Sequence, residues 1–70
     1  MAGWEKMTIV LKREEFRNNA DDATITIEQY QDKGSVPLWR FYVKYDRIYA
    51  PVDHRGLTHR PNVERLKKRY

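Results

Sequence analysis

Hydrophobic and polar positions alternate with a period of two in three separate stretches of the chain, and this period marks β-strands. From Met7 to Lys12, Met7, Ile9 and Leu11 alternate with Thr8, Val10 and Lys12, which predicts a first strand. From Thr24 to Tyr30, Ile25 and Ile27 face one way and Thr24, Thr26, Glu28 and Tyr30 the other. The β-branched threonines and isoleucines suit a pleated surface, so this is the cleanest strand in the chain. From Leu38 to Tyr45, Trp39, Phe41, Val43 and Tyr45 share one face, while Arg40, Tyr42 and Lys44 share the other.

The intervening segments read as turns. Arg13 to Asp22 is polar; it accommodates one helical turn around Phe16, broken by the Asn18-Asn19 and Asp21-Asp22 pairs. Gln31 to Ser35 is a turn in which Gly34 is free to take positive φ. Pro37 precedes the third strand, where its missing N–H harms no ladder. Asp46-Arg47 leads into Ile48-Tyr49-Ala50, either a short fourth strand ended by Pro51 or the continuation of the third. Val52 to Arg60 reads as irregular, with Gly56 at its centre.

The period changes near the end of the chain. Pro61 suits the first turn of a helix, where its lost N–H would be unpaired anyway. Val63, Leu66 and Tyr70 then follow helical spacing along one stripe, and Arg65, Lys67, Lys68 and Arg69 cover much of the remainder. Those cations lie near a helix C-terminus, where the dipole favours them. The expected fold is α+β: a three- to four-stranded antiparallel sheet with one C-terminal helix packed on the face of Ile9, Ile25, Ile27, Trp39, Phe41 and Val43. Such a sheet followed by one helix is similar in outline to integrase arm-binding domains and chromodomain-like folds. Their diagnostic residues are not found here, and the similarity transfers no residue role.

Seventy residues make a single small basic domain, residues 1–70. A chain of this size buries only about 60% of its extendable surface, so its stability is modest. It has no cysteine, hence no disulfide and no thiolate metal site. No apolar run approaches the ~20 residues of a spanning helix. The start does not read as a signal peptide, and Ala2 in place of glycine removes the myristoylation pattern. These features point to a soluble cytoplasmic protein without a membrane partner.

Charge is unevenly placed. Residues 1–50 hold eight Lys/Arg against eight Asp/Glu, and residues 51–70 hold six against two, so the whole excess of +4 lies in the last twenty residues. An asymmetry of this kind suits a polyanionic partner, or keeps the protein soluble.

Catalytic chemistry is not indicated. There is no Gly-rich phosphate loop and no G-x-S-x-G elbow, Ser35 is the only serine, and Glu14-Glu15 diverge on either a strand or a helix. Asp53, His54 and His59 have some of the chemistry of a metal site. Arg55 and Arg60 directly follow the two histidines, however, and would repel a divalent ion, so neither metal nor cofactor is expected.

A nucleic-acid-binding module is better supported. Its candidate residues are Arg40, Tyr42 and Lys44 on the third strand, Arg55 and Arg60 in the loop, and Arg65, Lys67, Lys68 and Arg69 on the helix. Cations neutralise phosphates and release counterions, and Tyr42 offers a stacking surface to bases. The alternative is a protein-interaction module: an inhibitor, adaptor or small subunit on a larger nucleic-acid-handling machine, or one docking on an acidic protein surface. Where the partner is a nucleic-acid-handling enzyme, Asp21-Asp22 with Glu14-Glu15 would occupy its anion-binding groove as a mimic of the nucleic acid. An unpaired edge strand would also permit a homodimer.

Overall fold

A computed structural model of the chain describes residues 7–18, 22–46 and 51–70. Four strands, β1 (Thr8–Asn18), β2 (Ala23–Asp32), β3 (Leu38–Tyr45) and β4 (Val52–Leu57), are followed by one helix, α1 (Val63–Arg69). The strands form an antiparallel meander in the order β1-β2-β3-β4.

Strand β3 occupies the stretch that its alternation predicts, and β2 extends the predicted strand at both ends. Two segments differ from the sequence reading. Arg13 to Asn18 contains no helical turn; it continues β1, pairing residue by residue with Glu28 to Ala23. The β-pairing of Phe16 with Ile25 outweighs the weak local signal of the polar run. Val52 to Leu57 is likewise a strand, not an irregular loop. Its alternation is disguised by a bulge: Trp39 opposes Leu57 while Phe41 opposes His54. Gly56 sits in that bulge at φ 72°, a left-handed conformation that suits a residue without Cβ. The Ile48–Ala50 segment proposed as a strand, and Asn19 and Asp21 of the polar turn, lie outside the described residues.

Register assigns the faces. Ala23, Ile25, Ile27, Phe41 and Val43 share one face, and with Leu66 of α1 they form the buried cluster. Phe16, Trp39, Tyr45, Val52, Leu57, Val63 and Tyr70 pack around it. Ile9 is not part of this core and is 56% exposed. Ile9 opposes Gln31, on the same face as the cluster but beyond its end, and a bulge follows it in β1: Val10 opposes Tyr30 and Lys12 opposes Gln29, leaving Leu11 without a direct partner. The bulge puts Lys12 where the simple alternation would continue the apolar face.

A helix of seven residues is too short to persist alone. At its start the Asn62 side chain caps the backbone N–H of Arg65 at 3.1 Å, so Pro61 precedes the cap and does not occupy the first turn. At its end, the buried Asn18 donates from Nδ2 to the carbonyls of Lys67 (2.9 Å) and Tyr70 (3.0 Å). These last-turn carbonyls have no partner inside the helix. The polar pair at the end of β1 therefore contains the residue that ties sheet to helix. Asn18→Ala is expected to lower the unfolding free energy by about 1–3 kcal/mol, the usual cost of leaving buried polar groups unpaired. Urea denaturation followed by circular dichroism checks this, and an unchanged midpoint would count against the role.

Candidate functional site

The candidate residues divide between two sides of the sheet. On the side opposite the apolar cluster, cross-strand neighbours form a charged row: Arg13 on β1, Glu28 on β2 and Arg40 on β3. Glu28 is buried and is held by Arg40 Nε at 2.8 Å, with Arg13 Nε 3.8 Å away. Arg13 in turn pairs with Glu15 at 2.8 Å. The Arg40 guanidinium lies 4.8 Å from the centre of the Tyr30 ring. The Tyr30 hydroxyl accepts from the Gly56 backbone N–H at 2.9 Å, linking β2 to the β4 bulge. A carboxylate removed from water requires such partners. Arg40, a candidate binding residue, is thus engaged in covering its own sheet.

Tyr42 is half-buried between Thr26 and Asp53. Lys44 is exposed opposite Thr24. Arg55 faces Asp53 at 3.4 Å. Arg13, Glu28, Arg40, Tyr42, Asp53 and Arg55 line an open depression of about 320 Å³, in which each arginine faces a carboxylate. Asp53 and His54 point to opposite faces, since the His54 ring stacks on Phe41 at 5.0 Å. Among the described residues no group of three or more His, Cys, Asp or Glu is placed to hold a metal ion.

The remaining candidates lie with the helix. Arg60 pairs with Glu14 at 2.9 Å. The Lys67 ammonium sits 5.9 Å from the centre of the Phe16 ring, and the Arg69 guanidinium 5.6 Å from that of Tyr70. With about 100° per residue, Arg65, Lys68 and Arg69 fall on one continuous arc, away from the stripe of Val63, Leu66 and Tyr70. All three are exposed. Among the described residues, no carboxylate lies within ion-pair distance of Arg65, Lys67, Lys68 or Arg69. The sequence pattern picks out these cations but not the pairing of Arg40, which depends on register. Opposite charges at Glu28 and Arg40 in adjacent predicted strands are the available signal.

Arg17 and Asp46 form a two-pronged ion pair between β1 and the end of β3, with Nη1 to Oδ1 at 3.0 Å. Hydrogen bonding from Arg17, aided by its charge and that of Lys44, holds the Asp46 carboxyl below the usual carboxylate range. The Arg17 guanidinium is pushed up by the same hydrogen bond and charge. Comparison with protein-family models, curated proteins and solved structures finds no match to this chain.

Two outcomes follow from this geometry. Because the folded pKa of Asp46 is depressed, its contribution is present above the unfolded value and fades as pH falls through the folded one. In an NMR titration Asp46 is expected to protonate below the ordinary aspartate range, and Arg17→Ala to return it there. An Asp46 titration unmoved by the substitution would refute this coupling. Glu28→Ala is expected to cost about 1–3 kcal/mol by leaving Arg40 half-buried without its acceptor. Urea unfolding measures this, and an unchanged stability would show the row to be ornamental.

Proposed function

We propose that the chain is a nucleic-acid-binding module, not an enzyme, that works in the cytoplasm and contacts phosphates through its basic C-terminal segment. In this reading α1 lies against the apolar face of the sheet and turns Arg65, Lys68 and Arg69 outward. Lys67 and Arg60 flank them. The observation that carries the reading is the contrast in ion pairing. Arg13, Arg17, Arg40, Arg55 and Arg60 each meet a carboxylate, and the helix cations meet none among the described residues. Unpaired, exposed cations on one arc give a polyanion more than cations already neutralised internally.

The strand-face residues then have a smaller share. Arg40 is retained by Glu28 and Tyr30, Arg55 by Asp53, and Tyr42 and Lys44 lie across the sheet from the helix arc. Contacts to phosphates alone carry no sequence information, so binding is weakly sequence-specific. Among the described residues no helix is long and apolar enough to cross a membrane. The alternative, a module docking as inhibitor, adaptor or small subunit on a protein partner, is favoured by one observation, the exposed apolar residues at the start of β1.

Fluorescence anisotropy with single-stranded and duplex oligonucleotides of random sequence tests the proposal. Affinity should fall steeply with salt. The triple substitution R65Q/K68Q/R69Q should weaken binding on every sequence and reduce the salt slope by about 0.7–0.9 for each phosphate no longer neutralised. Tyr42→Ala should leave duplex affinity unchanged. Absence of binding at low salt, or a triple variant that binds like the native chain, would overturn it.

A further inference from the structure

We infer that β1 pairs with β1 of a second copy, antiparallel and about a two-fold axis at Ile9, to give a homodimer with one continuous sheet. The two sheet edges are unequal. Strand β4 is short, bulged at Gly56 and charged at Asp53 and Arg55. Short length, bulges and charge are the features that guard an edge against pairing. Strand β1 is eleven residues long, and its guard is confined to its later half, where the bulge at Leu11 is followed by Lys12, Arg13, Glu14, Glu15 and Arg17. Ahead of that guard Met7 (53%), Ile9 (56%) and Val10 (45%) are exposed, and Leu11 (46%) is exposed at the bulge itself. Pairing with β2 reaches this far, since Lys33 N–H donates to the Met7 carbonyl at 3.0 Å.

Symmetry and charge select the occupant and the register. In an antiparallel pair related by a two-fold axis normal to the sheet, opposed residues share a face, and the central residue opposes its own copy. Centring on Lys12, Arg13, Glu14, Glu15 or Arg17 would set a charge directly against the same charge, which is destabilising. Phe16 and Asn18 are already committed, beneath Lys67 and at the carbonyls of α1. The uncharged segment from Met7 to Leu11 remains, and Ile9 is its middle. Centring there opposes Ile9 to Ile9, Thr8 to Val10, and Met7 to Leu11, none of them charged. An open depression of about 240 Å³ lined by Met7, Ile9, Gln31, Asp32, Lys33 and Gly34 adjoins the axis and offers room for the second copy's apolar side chains. Because the axis is normal to the sheet, both helices come to the same side and their cations face the same way. The dimer itself does not depend on the nucleic-acid reading.

Sedimentation equilibrium from micromolar to millimolar concentration tests this directly. The native chain should show a concentration-dependent rise toward twice its mass, and Ile9→Lys should raise the dissociation constant at least about tenfold. The chain lacks cysteine, which permits a test of register: residues opposed across antiparallel strands lie about 4.5–5.5 Å apart at Cα, within disulfide range. Oxidised Ile9→Cys should therefore form a covalent dimer readily, and Glu15→Cys should not. A native chain that stays monomeric throughout overturns the inference, whether the edge then stays bare or takes a foreign strand. A dimer indifferent to Ile9→Lys, or cross-linked better through Glu15→Cys, overturns it equally.

Discussion

A single sheet has two faces, and the apolar cluster on one of them includes Leu66 of the described helix. Leu66 completes the cluster of Ala23, Ile25, Ile27, Phe41 and Val43, and Tyr70 meets Phe41 on that side. Among the described residues, the opposite face is covered by the sheet's own side chains. Thr26, Glu28 and Tyr30 are buried there beside the long arginine side chains of neighbouring strands. Arginine is suited to this use: its stem covers apolar surface while its guanidinium satisfies a carboxylate or lies against a ring. Each guanidinium committed to this cover has an acid beside it: Arg13 and Arg40 at Glu28, and Arg55 at Asp53.

The division of labour between the two basic regions follows. Cations that hold the sheet together are neutralised where they stand. Those of α1 sit on a helix whose apolar stripe is turned to the core and whose ends are held by Asn62 and Asn18. Of these, Arg65, Lys68 and Arg69 are left exposed, which in the proposed reading makes them available to a polyanion. In the proposed reading, holding the helix at its C-terminus serves binding as well as stability, because Lys67, Lys68 and Arg69 occupy the turn that would fray first.

Much of this architecture was legible in the sequence. Period-two alternation marked β3 over its full extent and most of β2, and the Val63-Leu66-Tyr70 spacing marked the helix. The later half of β1 was not legible, because an edge strand with one face in water carries few apolar residues, and its pairing with β2 is a long-range property. β4 escaped because the Gly56 bulge breaks alternation. Among the candidate binding residues, Arg60, Arg65, Lys67, Lys68 and Arg69 fall together near the helix, while Arg40, Tyr42, Lys44 and Arg55 fall across the sheet. Composition could not separate the two groups. Whether an arginine is committed or available depends on which residue stands opposite it, and register determines that.

If the division holds, a polyanion meets the helix arc and not the arginine-covered face. Backbone amide shifts recorded while a short duplex is titrated into the labelled protein distinguish the two surfaces residue by residue. The largest changes should fall between Arg60 and Tyr70, with Arg40 to Lys44 and Arg55 little moved. Changes concentrated on Arg40, Tyr42 and Arg55, with the helix silent, would contradict the division.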